Sequence, residues 1–185
     1  LRRQRQMCIR DRVKNAHGSS DWAVYHMGAN EGTTPQNYSL RLDHDGGNTT
    51  SSTYWNDTAP TNQVFSIGNG GSISEPNENF IAYCWHSVPG YSAFGSVANL
   101  NTETFVYLGF KPAFVMLKRS DSQTSSWATH NSASAPYNVM ANYLTADTAN
   151  PENTSWSAMN FLSNGFKVDD NYSGVAGPWV YMAFA

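Results

Sequence analysis

The chain has 185 residues, with 11 Lys and Arg against 14 Asp and Glu and a formal charge of −3, a length that makes one domain or two small ones with enough apolar residues for a core. Charged residues are only 14% of the chain, while Ser, Thr and Asn number 54 and aromatics 25; this excludes a coiled coil and speaks against a disordered chain. No apolar run reaches the ~20 residues of a membrane-spanning helix.

The first twelve residues, Leu1 to Arg12, are basic and have no apolar period. Arg2 to Arg12 matches, without a mismatch, the translation of a common transposon-type sequencing adapter, so residues 1–12 are read as a disordered artefact and set aside. The rival reading is a basic arm for nucleic acid or membrane. Without Arg2 to Arg12 the chain keeps 6 Lys and Arg and 13 Asp and Glu, a charge of −7, which speaks against nucleic-acid binding. Cys84 is then the one cysteine left, and no intrachain disulfide forms. The same reading places the natural N-terminus further upstream and makes the lack of a signal peptide uninformative.

A strand is expected around Trp22, Val24 and His26, with His26 in a buried or half-buried structural role. Asp43-His44-Asp45-Gly46-Gly47-Asn48 has oxygen ligands at alternate positions and Gly at the tight turn, as a calcium loop needs. This makes Asp43, Asp45 and Asn48 weak metal candidates, because Tyr54 stands where the closing Glu belongs. An Asp-Gly-Gly hairpin turn accounts for the same residues. Trp55-Asn56-Asp57 offers an aromatic face with a neighbouring amide and carboxylate, which suits stacking on a sugar and binding its hydroxyls; Trp156 holds the matching place later in the chain. A repeat-defining core Trp accounts equally for both. Phe80 to Trp85 is an aromatic strand.

Further on, Thr104 to Phe110 is aromatic and β-branched, and Ala113 to Lys118 is an apolar run entered after Pro112, where Pro breaks no ladder bond. Strands are also expected at Asn142 to Thr145, Asn164 to Val168 and Trp179 to Phe184. Turn clusters at Ser120 to Gln123, Asn150 to Asn153 and Asp169 to Asn171 separate them, and only Pro136 to Leu144 is left to hold a helical turn. Many short strands between turns indicate a β-sandwich or barrel.

The sequence repeats itself. Trp22-Ala23 recurs as Trp127-Ala128, Trp55 as Trp156, Phe65 as Phe166, and Phe80 to Trp85 as Trp179 to Phe184, at offsets of 105, 101, 101 and 99. Order is kept and the offset drifts as loop insertions would make it. Two units follow: residues 13–88, incomplete because they lack a counterpart of Thr104 to Lys118, and residues 89–185. The first is therefore expected to leave an exposed sheet edge, and 89–185 is expected to be the more soluble piece alone. The alternative is one sandwich shared by both halves.

No catalytic residues are assigned. Glycoside hydrolysis needs two carboxylates at a fixed separation, but Glu31, Glu75, Glu78, Glu103 and Glu152 all lie in loop-like surroundings. A nucleophile elbow, a P-loop and a dinucleotide fingerprint are absent, and the five histidines lack metal-site spacing. No cofactor is expected.

Pro89 to Ser96, Phe105 to Arg119, Pro136-Tyr137-Asn138, Phe161 to Lys167 and Tyr181 to Ala185 carry a family resemblance. Tyr54 to Thr61, Val64 to Gly68 and Ile81 to Cys84 carry it in the first unit. The chain resembles an uncharacterised domain repeated in large structural proteins of marine tailed phages, related to concanavalin A-like and laminin-G-like sandwiches. The Asp43 to Asn48 turn departs from that family's usual Asn-Thr-Thr stretch. The resemblance implies an all-β fold of tandem antiparallel sandwich (jelly-roll, concanavalin A-like) units, the first truncated. It also implies a non-enzymatic, tail- or fibre-associated virion domain, partnered by other virion subunits or repeats and by host-surface polysaccharide, without nucleic acid or membrane insertion. A secreted carbohydrate-active enzyme or bacterial adhesin on the same sandwich, and a purely structural spacer, are the alternatives.

Overall fold

The computed structural model describes residues 10–121, 123–154, 158–170, 172 and 176–185, without the side chains of Arg10 and Asp11. It is nearly all β. The strands are β1 (Arg10–Asn15), β2 (Ala23–His26), β3 (Tyr38–Arg41), β4 (Thr49–Thr50), β5 (Phe80–Trp85), β6 (Ser92–Val97) and β7 (Thr104–Tyr107). Then come β8 (Phe114–Arg119), β9 (Ala128–Asn131), β10 (Leu144–Thr145), β11 (Met159–Leu162), β12 (Gly165–Val168) and β13 (Trp179–Phe184). They form three antiparallel sheets, in the orders β4-β3-β2-β1-β5, β10-β9-β8-β13-β6 and β11-β12-β7.

The single α-turn among the described residues is α1 (Ser52–Trp55), not the expected Pro136 to Leu144. The reason is local. The Ser51 hydroxyl accepts from the Thr53 N–H at 3.2 Å and Asn56 closes the turn at φ 52°, the cap and left-handed exit that a short helix needs. Residues 136–144 are instead drawn out by the Met140 N–H on the Met159 carbonyl and by Asn138, which both donates to and accepts from the Phe161 backbone.

Side-chain alternation explains how the sheets stack. On β13, Trp179 and Ala183 enter one apolar cluster with Leu117, Met159, Phe161 and Phe166, while Val180 and Met182 enter another with Phe94, Met116, Trp127, Val24 and Leu40. The β8–β13 sheet is therefore buried on both faces, by the three-stranded sheet on one side and by the β1–β2–β3 sheet on the other. A third cluster of Val13, Ala23, Tyr25, Trp55 and Ile73 lies on the far face of the β1–β2 sheet. The middle cluster draws on both sides of the 88/89 boundary.

Four strands recur in the same order. In one sheet β3-β2-β1-β5 run side by side, in the other β10-β9-β8-β13. Registers agree too: Arg10 faces Trp85 and Asn15 faces Phe80, as Phe114 faces Phe184 and Arg119 faces Trp179. The Trp22 N–H donates to Asp43 Oδ1 at 3.0 Å and the Trp127 N–H to Asp147 Oδ1 at 2.8 Å. Lys14 Nζ donates to the Ser20 carbonyl, and Lys118 Nζ to the Ser125 carbonyl. Two expectations are corrected here. The first half does hold a counterpart of Ala113 to Lys118, namely β1, in which Val13-Lys14 stands for Leu117-Lys118. The last three residues set aside with 1–12 are ordered in that strand, because β2 and β5 flank them and any extended backbone can complete both ladders. Arg12 thus falls in the position of Met116. The remaining residues of that segment, 1–9, lie outside the described residues.

Candidate functional site

The residues singled out from sequence do not come together. Trp55 is 1% exposed, and its indole N–H donates to the Tyr38 carbonyl at 3.0 Å while Tyr25 packs edge-on at 5.8 Å. It has no ring face to offer a sugar, so the core account holds for it. Asn56 and Asp57 are exposed, both in left-handed backbone at φ 52° and 47°. Trp156 lies outside the described residues.

Asp45 and Asn48 join the two halves of the chain, while Asp43 acts within the first. Asp43 caps the Trp22 N–H. The Asp45 carbonyl accepts from the Ser125 N–H at 2.8 Å and from Lys118 Nζ at 2.6 Å. Asn48 donates its backbone N–H to the Asp121 carbonyl and its amide to the Ser120 carbonyl at 2.6 Å. The Asp43 carboxylate and the Asn48 amide are thus engaged with neighbouring backbone, the Asp45 carboxylate lies 3.4 Å from His44 Nδ1, and among the described residues no group of three His, Cys, Asp or Glu gathers around a point. Lys118 is fully buried, and burial lowers its pKa to about 8 against opposing attraction from Asp147, Asp45 and Asp121. Glu75 and Glu78 are exposed within one turn.

A cleft of about 430 Å³ opens at the β8–β9–β10–β13 end of the doubly covered sheet, within the roughly 300–1,000 Å³ range of small-ligand sites. Its aromatic wall is the half-buried Tyr143, backed by Tyr172 and Trp179, which are buried in the core; its polar wall includes Thr124, Ser125, Ser126, Thr145 and Asn150. Arg119 also lines it, but its guanidinium is already held by Asp121, at 3.1 Å from Nε and 2.5 Å from Nη2, and by the Ala176 carbonyl at 3.1 Å. A Cβ on Gly177 would meet Arg119 Nη2 at 2.5 Å, and its φ of 154° also suits glycine. The ion pair neutralises Arg119, so among the described residues the cleft presents hydroxyls, an amide and the Tyr143 ring without net charge. That combination binds polyhydroxyl compounds, by stacking on C–H faces and by hydrogen bonds to hydroxyls.

Behind the wall sits His130, fully buried as is His26. His130 Nε2 and the Tyr172 hydroxyl are 2.9 Å apart, and the ring lies 5.7 Å from Tyr143. His26 Nε2 lies 3.1 Å from the Tyr181 carbonyl while its Nδ1 accepts from the Gly28 N–H at 3.0 Å, the structural role expected of it. Burial lowers the His130 pKa to about 4, opposed by a hydrogen bond to the Asn142 backbone. The unfolded chain titrates near 6.5 and so binds the proton first as pH falls. The stability that neutral His130 contributes is complete above pH 6.5 and is lost progressively down to about pH 4, a cost of roughly 3 kcal/mol. Urea melts at pH 7 and pH 4.5 should show that loss, and His130→Gln should flatten it. An equal slope in the variant would exclude His130 as its source.

Sequence reasoning missed this cleft because its residues come from β8, β9, β10, β13 and the turns between strands. The Ser120 to Gln123 and Asn150 to Asn153 clusters were legible as turns, and Tyr143 and Trp179 as strand residues. Nothing local signals that they converge.

The fold and cleft thus define a nearly all-β protein of three antiparallel sheets with a neutral, aromatic-walled cleft. The chain belongs to the family described as Domain of unknown function (DUF7483), which it matches over residues 4–185, across both halves of the repeat. No curated protein and no solved structure matches it.

Proposed function

We propose that this chain is a non-enzymatic, tail- or fibre-associated domain of a phage virion that adheres to host-surface polysaccharide. The observation that carries the binding part is the cleft, where the half-buried Tyr143 faces Ser, Thr and Asn groups and the guanidinium of Arg119 is neutralised in place. The virion part rests on the phage-domain resemblance carried by Phe105 to Arg119 and the other segments quoted above. Recurrence of the β3-β2-β1-β5 order in β10-β9-β8-β13 supports the tandem, concanavalin A-like sandwich reading. Tandem sites turn weak single contacts into avidity. The acidic balance of residues 13–185 favours a neutral polymer over nucleic acid.

Titration of soluble bacterial and algal polysaccharides should give saturable binding, stronger for arrayed copies than for the monomer. Tyr143→Ala should weaken it about five- to tenfold, since a stacked ring is worth about 1 kcal/mol, and should leave the melting transition cooperative. Absence of binding by arrayed copies would favour the spacer reading. Release of reducing ends that stops on changing a single Glu would replace the proposal with the enzyme reading.

A further inference from the structure

We propose that the outer face of the β11-β12-β7 sheet is a binding platform for a neutral polysaccharide chain, with Phe105 and Tyr107 stacking on its sugar rings. The alternation of β7 sends Val106 into the core and turns Phe105 and Tyr107 outward, at 46% and 69% exposure. Their side chains leave the strand about 7 Å apart. Each ring rests its tip against a glycine. A Cβ on Gly165 would collide with the Val106 carbonyl, and the space the glycine leaves lets Phe105 Cζ come within 3.1 Å of that Cβ position. The hydroxyl and ring end of Tyr107 lie 3.6–3.9 Å from the Cβ position of Gly109, whose φ of 79° also suits glycine. Rings laid against the backbone in this way turn a face to water. Two of them on one sheet face make a patch, unlike apolar residues exposed singly.

A polar border runs beside the rings. Lys167 lies directly opposite Phe105, and Asn160 opposite Lys167. Lys167 Nζ is 3.0 Å from Glu103 Oε2 and 2.9 Å from Asp169 Oδ1, and the Asn160 amide donates to Asp169 Oδ2 at 3.0 Å. A carboxylate has about four acceptor sites, so Glu103 and Asp169 keep room for hydroxyl donors after these contacts. A pyranose supplies both complements, C–H faces for the rings and hydroxyls for the carboxylates. Two carboxylates against one ammonium disfavour a uronate or phosphate polymer, which makes the occupant neutral. An apolar protein surface fits worse, because it would strip water from the ion network and give no hydrogen bonds back. The inference rests on the polysaccharide reading for its ligand class, but not on the cleft, which other strands line.

The test uses the full chain, with laminarin and xylan oligosaccharides as neutral probes and alginate oligosaccharides as the anionic control. Amide shifts mapped by NMR during each titration separate the platform from the cleft. The neutral probes should give saturable shifts over residues 103–107 and 165–167, and alginate none there. Tyr107→Ala should weaken binding at these amides about three- to tenfold, and Tyr107→Phe should keep it. Phe105→Ala combined with Tyr107→Ala should abolish it, whereas Tyr143→Ala, in the cleft, should leave it unchanged. Shifts confined to the cleft would overturn the platform and leave the cleft reading standing. Shifts at neither place would overturn the platform and the polysaccharide reading together. Equal binding of alginate, or shifts on this face that grow with protein concentration alone and so mark a second copy as its occupant, would also overturn the proposal.

Discussion

Arg12→Met should raise the melting temperature by several degrees. Arg12 stands on β1 in the place that Met116 holds on β8, and its side chain points into the cluster between the two five-stranded sheets. Its Nη2 reaches only Met116 Sδ at 3.4 Å, its guanidinium lies 5.1 Å from the Trp85 ring centre, and its Nε is buried without an acceptor. Among the described residues no carboxylate answers the charge, and burial lowers the pKa to about 10. A desolvated guanidinium costs several kcal/mol, and apolar replacement of such groups commonly gains about 1–4 kcal/mol. Against this stands about 1 kcal/mol of cation–π attraction. A net gain of roughly 2 kcal/mol corresponds to about 4–8 °C for a chain of this size. Arg12→Lys keeps the charge and loses the ring contact, so it should give no gain. A melting temperature that does not move in Arg12→Met would mean that the side chain is solvated.

What the sequence made legible was whatever repeats with a period. Phe80 to Trp85 and Trp179 to Phe184 alternate and recur, and both are strands over those very residues. The buried role of His26 followed from its neighbours on one face. β1 was missed because a match by residue type cannot see that Val13-Lys14 is the end of a strand whose other half reads as charged. Trp55 illustrates the opposite difficulty. A Trp-Asn-Asp triplet serves a sugar or a core equally well, and only the Tyr38 carbonyl, 17 residues away and within reach of its N–H, decides. The cleft depends on loops meeting across β8, β9 and β13, a tertiary fact with no local period to reveal it.

Separating the chain between Val88 and Pro89 should destabilise both pieces together, the largest effect expected here. The middle cluster sets Val24 and Leu40 of the first half against Phe94, Met116, Trp127, Val180 and Met182 of the second. The Trp127 indole N–H also donates to the Arg41 carbonyl at 2.6 Å, and Lys118 to the Asp45 carbonyl. Residues 89–185 alone would expose five large apolar side chains. At about 1.5–3 kcal/mol each, their burial is worth roughly 10 kcal/mol, as much as the whole stability of an ordinary domain. The intact chain should therefore melt in one transition. Residues 89–185 alone should lose near-ultraviolet circular dichroism, bind a hydrophobic dye and aggregate, and residues 13–88 should fare no better. A point variant gives the same answer without cutting the chain. Leu40→Ala, on β3, should cost about 2–5 kcal/mol. It should shift the unfolding of Trp179, in the other half, as much as that of Trp55. Independent melting of the two pieces, or a Trp179 signal indifferent to Leu40→Ala, would show that the sheets touch without sharing a core. The expected coupling follows from where the alternation of β13 sends its side chains: a strand whose odd and even residues are both buried needs a sheet on each face, and here one of those sheets comes from the other half of the repeat.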